Sequence, residues 1–353
     1  MTESTDVDSH LLELRGRDWS RLPLRQRRSL VERAFRYWRT RGFPYFHLSE
    51  KQIKSEFRHL KTMEPSSAFR DGGLQGSIAG LRIANMFQPQ MWSVRVSRYR
   101  SPMDIFQDDT LLRRALTRSW SIWPDRFGVN ASCLRRMLKT FPGTASVSNF
   151  RPTLARAVVD RFSPLGGTVV DFAAGYGGRL VGCLSLDRRY IGIEPCDDQV
   201  KGLRRTLAVL TEHYPPGPSA IIRHGCAEDI LPELPTGSAD LVFSSPPFYD
   251  WERYSAQPTQ SYVRYPGYES WLCCFLGEAV GQSSRVLKRG GRLVLNVSRR
   301  HRRPREDEVQ CLAVQSGLEL EASIPLLLAR VPYLHPRRAG PFKAEWLMVF
   351  KKG

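Results

Sequence analysis

The sequence predicts an α/β fold: a doubly wound, mainly parallel sheet of seven strands closed by a hairpin, with a mainly helical region before it. The first observation behind this prediction is a regular alternation, after about residue 140, of short apolar runs with amphipathic segments of helical length. The second is that several apolar runs end in an acidic or small polar residue. Such endings are typical of strands that place ligand-binding groups at one edge of a parallel sheet.

The apolar runs give the strands in chain order, and the last two of them form the closing hairpin. Strands are predicted near residues 167–172, 190–194, 220–224, 239–244, 291–297, 318–327 and 344–351. The amphipathic segments predict helices near residues 153–162, 178–187, 197–213, 268–287 and 305–316. Strands joined by helices in this way pair in parallel, because each crossover helix returns the chain to the same edge of the sheet.

The N-terminal part of the chain has short helical segments separated by loops rich in glycine and proline. A basic helix is predicted from Leu22 to Trp38, with an apolar stripe typical of a buried face, and shorter helices are predicted near 52–60 and 101–119. The predicted organisation is a poorly ordered tail (1–20), an accessory or substrate-recognition region (21–140) and the sheet domain (141–353).

The composition is that of a water-soluble globular protein, with 41% hydrophobic and 25% charged residues among 353. No secretion signal or membrane-spanning run is recognisable, and the seven cysteines have no metal-ligand spacing. We therefore expect a cytoplasmic protein without a bound metal. The net charge of +18 favours a phosphate-rich partner such as DNA. The alternative is that arginine simply decorates a solvated surface.

A glycine-rich loop follows the first predicted strand. That strand ends at Asp171, and the following residues, which include Ala173, Gly175 and Gly177, lead into a helix. A strand, a Gly-x-Gly turn and a helix bring a nucleotide-like cofactor close to the backbone. Leu180 stands where a dinucleotide-binding loop has its third glycine, and no Gly-Lys-Ser/Thr is present, so NAD, FAD and phosphate-loop nucleotides are disfavoured.

The next two predicted strands also end near acidic side chains. Glu194 closes one of them and is placed to bind ribose hydroxyls, and Glu228 and Asp229 follow the other, where an acid can accept from an adenine amino group.

The fourth predicted strand ends in Ser244-Ser245-Pro246-Pro247-Phe248. The Ser245 hydroxyl and the Pro246 carbonyl are two acceptors, because Pro247 has no N–H to engage that carbonyl, and Phe248 adds a flat ring. These groups suit a planar heterocycle with an exocyclic NH2 group. The alternative is that the two prolines only end a buried strand.

Together these elements resemble the class I S-adenosylmethionine-dependent methyltransferases, which have a Rossmann-like seven-stranded sheet. The Ser-Pro-Pro-Phe element is similar to that of the amino-methyltransferases that modify DNA bases, and its serine resembles the cytosine N4 type. The resemblance covers residues 148–298 and implies that Phe150, Pro152 and Ser244 also contribute to the cofactor site. Gly178-Arg179 departs from the small Gly-Thr-Thr usual in that loop.

The resemblance implies methyl transfer from S-adenosylmethionine to an exocyclic amino group of a DNA base, with cytosine N4 as the first expectation. The alternatives are an N-methyltransferase of a small amine, peptide or nucleoside natural product, an adenine N6 or RNA methyltransferase, and a nucleic-acid-binding protein with a degenerate core. If the substrate is DNA, a basic run after the fifth strand is expected to contact its phosphates. The run contains Arg299, Arg300, Arg302, Arg303 and Arg305.

Aromatic residues are concentrated between Phe248 and Tyr268: Tyr249, Trp251, Tyr254, Tyr262 and Tyr265. They either line a pocket for an extruded base or pack the loop over the cofactor.

Overall fold

A computed structural model of the chain describes residues 11–70, 72–123, 125–186, 188–214, 219–298, 305–328 and 342–353. The helices and strands before residue 148 are α1 (Gly16–Arg21), α2 (Leu24–Arg41), α3 (Glu50–Thr62), β1 (Phe69–Arg70), β2 (Gly73–Leu74), α4 (Leu81–Met86), β3 (Arg95–Val96), α5 (Pro102–Gln107), α6 (Asp109–Ile122) and α7 (Ala131–Thr140).

From residue 148 onward, strands and helices alternate as the sequence predicts. They are α8 (Pro152–Phe162), β4 (Thr168–Asp171), α9 (Gly178–Leu184), β5 (Arg189–Glu194), α10 (Asp197–His213), β6 (Ala220–His224), α11 (Ala227–Ile230), β7 (Ala239–Ser244), β8 (Glu252–Arg253), α12 (Ser261–Arg264), α13 (Tyr268–Ser270), α14 (Glu278–Val286), β9 (Leu287–Ser298), α15 (Glu306–Gln315), β10 (Leu318–Leu328) and β11 (Phe342–Lys352). A π-helical segment, Trp271–Gly277, joins α13 to α14 inside the predicted helix 268–287.

Nine strands form one sheet in the order β1-β2-β10-β11-β9-β7-β4-β5-β6. The run from β9 to β6 is parallel, and β11 is antiparallel to both β9 and β10. This is the predicted Rossmann-like parallel sheet closed by a hairpin, and that prediction is confirmed. The two short strands β1 and β2 add to the seven that the sequence predicts.

Apolar side chains cover both faces of the sheet. On one face, Val158 of α8, Leu180 of α9 and Leu203 of α10 pack into one buried cluster. On the other face, Trp271 and Val280 belong to a second buried cluster. Covering on both faces is what a parallel sheet requires, and it leaves the strand edges as the place for ligands.

The chain divides into two compact units. The first contains the described residues of Met1–Phe46 and Gln90–Val147, and the second contains His47–Pro89 and Ser148–Gly353. Residues 47–89 therefore fold with the sheet, although the sequence places them in the N-terminal region. The reason is their burial, because Phe57 and Leu74 are fully enclosed in the same cluster as the helices on one sheet face.

The first unit is helical and has its own aromatic core. Trp19 of α1 stacks on Trp120 of α6 with ring centroids 4.5 Å apart, so a helix forms within the predicted tail. Phe35 and Trp38 are buried on the predicted apolar stripe of α2. Among the helices of the described ranges, none is long and apolar enough to cross a membrane.

Candidate active site

The candidate site lies where β7, β4 and β5 end, at one edge of the sheet. Because these three strands are parallel neighbours, their last residues, Ser244, Asp171 and Glu194, are brought to the same edge. All three are buried. The sequence-predicted residues at these strand ends are therefore neighbours in space.

Asp171 is the centre of a buried polar network. Its carboxylate accepts from the Ser244 hydroxyl at 2.9 Å, from the Tyr190 hydroxyl at 2.8 Å and from Nε of Arg179 at 2.7 Å. The Ser244 hydroxyl in turn accepts from the backbone N–H of Ala173 at 3.1 Å. Asp171 and Ser244 therefore hold the start of the glycine loop, and Arg179, the departure from the usual loop sequence, is the counter-ion of Asp171.

The glycine loop has one open position and two crowded ones. Gly175 has φ +58°, and among the described residues a Cβ atom there would meet only the Ala173 carbonyl oxygen, at 3.7 Å. Gly177 has φ +83°, and a Cβ atom there would lie 3.0 Å from the Leu203 side chain. A Cβ on Gly178 would lie 1.8 Å from the Phe150 carbonyl oxygen. The backbone is thus accessible to a ligand at Gly175, while the other two glycines serve packing.

Asn149 fixes this loop, and the sequence did not single it out as a site residue. Its side-chain amide donates to the Tyr176 carbonyl at 2.9 Å, and its oxygen accepts from the Gly178 N–H at 2.9 Å. The neighbouring Phe150 is half-buried and meets Phe243 edge-on at 5.4 Å, and Pro152 is buried at the first position of α8.

Glu194 faces the glycine loop. Its two carboxylate oxygens accept from the backbone N–H groups of Gly175 at 2.8 Å and Cys196 at 3.0 Å. Burial raises the pKa of Glu194 to about 7, so this carboxyl titrates near neutral pH.

The two acids after β6 have different surroundings. Asp229 is exposed, and both of its oxygens are engaged by the Arg264 guanidinium. The Glu228 oxygens are buried, and Nη1 of Arg264 lies 3.2 Å from one of them. Burial raises the pKa of Glu228. Adjacent residues in the sequence do not reveal which acid turns inward, and here it is Glu228.

The Ser-Pro-Pro-Phe turn follows β7 directly. The Ser245 hydroxyl accepts from Nδ2 of Asn296 on β9, at 3.2 Å, so a second residue that sequence reasoning missed supports this turn. Pro246 is buried, and Pro247 and Phe248 are half-buried.

Tyr249, the residue after the turn, has φ +54°, a conformation that bulky side chains rarely adopt. Its hydroxyl accepts from the Gly267 N–H at 3.0 Å, and its ring packs against Tyr268 and Trp271. Strain held by such contacts is commonly found next to functional groups.

The aromatic segment after Phe248 is tied to the loops at the same edge. Tyr254 meets Tyr176 of the glycine loop with ring centroids 6.0 Å apart. The Thr259 hydroxyl donates to the Pro195 carbonyl at 3.2 Å, and the Gln257 amide donates to Asp197 at 3.0 Å. The segment therefore lies against the loops that follow β4 and β5.

Of the five arginines predicted to contact phosphates, only Arg305 lies within the described residues. Arg299, Arg300, Arg302 and Arg303 lie outside the described residues. Arg305 precedes α15 and is exposed, and its guanidinium lies 3.1 Å from Asp307 and 3.6 Å from Glu308. Two acids in the first turn of α15 therefore balance its charge. Within the described parts of the chain, no group of three or more His, Cys, Asp or Glu side chains is placed to hold a metal ion.

Neither a protein-family model nor a curated protein sequence matches the chain. Among solved structures, it is similar to a TehB-like SAM-dependent methyltransferase from Corynebacterium glutamicum, with 17% identity, a TM-score of 0.38 and coverage of 58% of this chain and 90% of that one. It is also similar to geranyl diphosphate C-methyltransferase from Streptomyces coelicolor, with 17% identity, a TM-score of 0.39 and coverage of 56% and 78%. A SAM-dependent methyltransferase from Methanosarcina mazei matches with 13% identity, a TM-score of 0.38 and coverage of 55% and 96%. These values are too low to assign a function to the chain.

Proposed function

We propose that the chain is an S-adenosylmethionine-dependent N-methyltransferase whose acceptor nitrogen binds at Ser245–Phe248. The main support for the proposal is that three features lie at one edge of the sheet: an open glycine loop, acids that face inward, and a turn that offers hydrogen-bond acceptors. Gly175, Glu194, Glu228 and Ser245 are the residues concerned.

The residues at this edge fit the cofactor. The open side of Gly175 admits a ligand against the backbone. Glu194, which ends β5 and faces the glycine loop, is the proposed acceptor for the ribose hydroxyls. Glu228 offers a buried carboxylate that is suited to an adenine amino group. In this proposal Phe150, Pro152, Ala173 and Gly177 shape the same cavity, and Asp171 and Ser244 act by holding the loop.

When bound, S-adenosylmethionine supplies a methyl group on a positively charged sulfur. The protein's task is to aim an amino nitrogen at that methyl group in line with the sulfur. The Ser245 hydroxyl and the Pro246 carbonyl would accept the two amino hydrogens, and Phe248 would contact the flat face of the acceptor. Asn296 would keep the Ser245 hydroxyl in position, because its amide donates to that oxygen.

The acceptor we favour is a small amine, a peptide or a nucleoside natural product. Glu194 and Glu228 lie near the strand ends at this edge, and their negative charge would oppose the approach of a phosphate backbone. Residues 21–140 are proposed to contribute to substrate recognition.

The test is a methyl-transfer assay with labelled S-adenosylmethionine and cell-extract metabolites. Ser245→Ala should lower turnover by about 10²-fold, because a positioned hydrogen-bonding group at the reacting centre is lost, while cofactor affinity stays unchanged. Ser238→Ala, in the loop before β7, is the matched control and should behave like the wild type. Label on a ring carbon, or full activity of Ser245→Ala, would contradict the proposal.

A second candidate is an exocyclic amino group of DNA, at cytosine N4 or adenine N6, or of RNA. The net charge of +18 and the Ser-Pro-Pro-Phe sequence favour it. Binding to duplex DNA should then weaken steeply with salt, because arginine contacts release counterions. Neutralising Arg299, Arg300, Arg302 and Arg303 should flatten that dependence. Undetectable or salt-independent DNA binding would favour a small-molecule substrate instead.

A further inference from the structure

Much of the positive charge of the chain lies in the first, helical unit. Residues 1–46 and 90–147 contain 20 of the 53 Lys and Arg residues and 10 of the 35 Asp and Glu residues, so they carry +10 of the net charge of +18. Nineteen of these 20 basic residues are arginines. A guanidinium binds phosphate oxygens through two parallel hydrogen bonds, which an ammonium group cannot do. Arginines exposed on this unit are therefore suited to a phosphate-bearing partner.

Two helices of this unit, α2 and α6, lie side by side and run in opposite directions. Arg39, near the end of α2, pairs with Asp109 at the start of α6, and Glu32, in the middle of α2, pairs with Arg113 of α6, each at 2.7 Å. The Arg113 guanidinium also lies over the Phe35 ring, 3.5 Å from its centroid. Glu32 is the one acid of α2 and Asp109 is the one acid of α6, so the acids of both helices are already engaged.

Five further arginines are exposed on these helices, and together they form what we call the arginine ridge. Its members are Arg25, Arg28 and Arg36 of α2 and Arg114 and Arg118 of α6. Spacings of three and eight residues place the first three on one side of α2, and a spacing of four residues does the same for the other two on α6. Within the described part of the chain, none of the five forms an ion pair.

The charge of the arginine ridge is unfavourable for the protein alone. Together α2 and α6 carry ten arginines and two acids. Arg114 and Arg118 are like charges four residues apart on one helix, which repel each other. The first turn of α2 contains Arg25 and no acid, although the helix dipole favours an acid there. A row of phosphates along the ridge offsets this repulsion, whereas salt in the solvent only screens it.

The other side chains of α2 and α6 indicate which anionic partner fits. Both helices lie wholly within the described residues, and Leu24 is their one exposed large apolar side chain, whereas the aromatic Phe35 and Trp38 are buried. A membrane surface or an acidic protein requires an apolar face or anchor. A single-stranded nucleic acid requires exposed aromatic rings on which its bases stack. A duplex requires only positive charge along its backbone, which the ridge supplies.

We propose that the arginine ridge binds the phosphates of duplex DNA. B-form DNA is the duplex that fits, because its major groove is wide enough to take a helix, whereas the major groove of an A-form RNA duplex is deep and narrow. With 18 residues, α2 is about 27 Å long and spans several phosphates of one strand. The proposal goes beyond the proposed function, because the ridge would bind DNA whether or not the methyl acceptor is part of it.

The test is binding of a short labelled DNA duplex of mixed sequence to the full chain, measured by fluorescence anisotropy over a range of salt concentrations and without S-adenosylmethionine. A ridge variant that combines Arg25→Gln, Arg28→Gln and Arg36→Gln should bind at least about tenfold more weakly near physiological salt. The slope of log K against log salt should become shallower by about 2–3, because each lost phosphate contact removes about 0.9.

The matched control combines Arg58→Gln, Arg204→Gln and Arg205→Gln. These three arginines are exposed on α3 and α10, so the control loses the same net charge outside the ridge. It should keep the wild-type affinity and slope.

An unchanged affinity and slope in the ridge variant, folded by circular dichroism, would overturn the proposal. Equal losses in the two triple variants would also overturn it, because only net charge would then matter. Tighter binding of an RNA duplex, of single-stranded DNA or of phosphatidylserine vesicles than of duplex DNA would contradict the choice of partner. The measurement uses neither cofactor nor methyl transfer, so failure of the methyltransferase proposal would leave its result unchanged.

Discussion

Asp171 and Arg179 form a buried ion pair in the candidate site. Both side chains are buried, and Nε and Nη2 of the guanidinium lie 2.7 and 3.2 Å from the two carboxylate oxygens. Arg179 also donates to the Ala173 carbonyl, so the same side chain holds the loop that follows β4. A buried charge that loses its partner is strongly destabilising, because the desolvation cost of the remaining charge is no longer offset.

We expect Arg179→Met to lower the free energy of unfolding by about 3–5 kcal/mol, since it leaves the Asp171 carboxylate without a counter-ion. The Tyr190 and Ser244 hydroxyls would still donate to it, which favours the lower end of that range. Urea denaturation followed by circular dichroism measures the change. Arg204→Met on the exposed side of α10 is the control and should change stability by less than about 0.5 kcal/mol. A similarly small change in Arg179→Met would contradict the role given to the pair.

If Glu194 binds the cofactor as proposed, we expect cofactor binding to depend on pH near neutrality. Its pKa is raised by burial to about 7, and ribose hydroxyls donate more strongly to the ionised carboxylate than to the neutral acid. The ionised fraction falls from about 0.9 at pH 8 to about 0.1 at pH 6. The dissociation constant of S-adenosylhomocysteine should therefore rise about tenfold over that interval in calorimetry. Glu194→Gln should bind more weakly and lose most of this dependence, and a flat profile in the wild type would argue against the contact.

The helices around the sheet are held at close distance by glycines whose roles are visible only in three dimensions. A Cβ on Gly202 of α10 would lie 2.4 Å from the Phe87 carbonyl oxygen, and one on Gly182 of α9 would lie 2.6 Å from the Pro152 carbonyl oxygen. These contacts join α10 to the segment before residue 90 and α9 to α8. The contact of Gly202 with Phe87 is one reason why residues 47–89 fold with the sheet.

Two glycine substitutions in helices should have opposite effects on stability. Gly202→Ala should destabilise the protein by about 1–3 kcal/mol, because the methyl group has no room against backbone. Gly281→Ala in α14 meets nothing closer than the Ser316 hydroxyl, at 3.8 Å, and should stabilise the protein by up to about 1 kcal/mol through helix propensity. Thermal unfolding of the two variants checks this, and a destabilised Gly281→Ala together with a neutral Gly202→Ala would be incompatible with the packing described.

Much of the fold follows from local pattern. Apolar runs predict all seven of the longer strands, because each strand contains a run of apolar residues next to turn residues. The assignment of His47–Pro89 to the sheet unit does not follow, since it depends on contacts such as the hydrogen bond from the Gln88 side chain to the Gln199 carbonyl, between residues far apart in sequence. Local periodicity carries no information about such contacts.

The site is predictable only where a strand end fixes the position of a side chain. The positions of Glu194 and Ser245 at one sheet edge follow in this way. Asn296 is not, because its approach to Ser245 depends on the register between β7 and β9. Glu228 cannot be separated from Asp229 by sequence, since the choice depends on where Arg264 lies.

The whole chain combines a net charge of +18 with a sheet edge rich in carboxylates. Charge on the outer surface governs long-range attraction, whereas the acceptor is selected by the groups that touch it. The carboxylates Glu194, Glu228, Glu252 and Glu345 all belong to the second unit. Net charge alone therefore does not identify the substrate.

The central claim is that S-adenosylmethionine binds at the glycine loop, and calorimetric titration tests it most directly. Gly175→Val places a side chain on the open face of the loop, whereas Gly237→Val is the matched control, because Gly237 also has a positive φ and open surroundings but precedes β7 at the opposite edge. We predict that the wild type and Gly237→Val bind the cofactor with similar affinity and that Gly175→Val, folded by circular dichroism, binds at least about a hundredfold more weakly. Absence of binding to the wild type, or equal affinity in Gly175→Val, would contradict the claim.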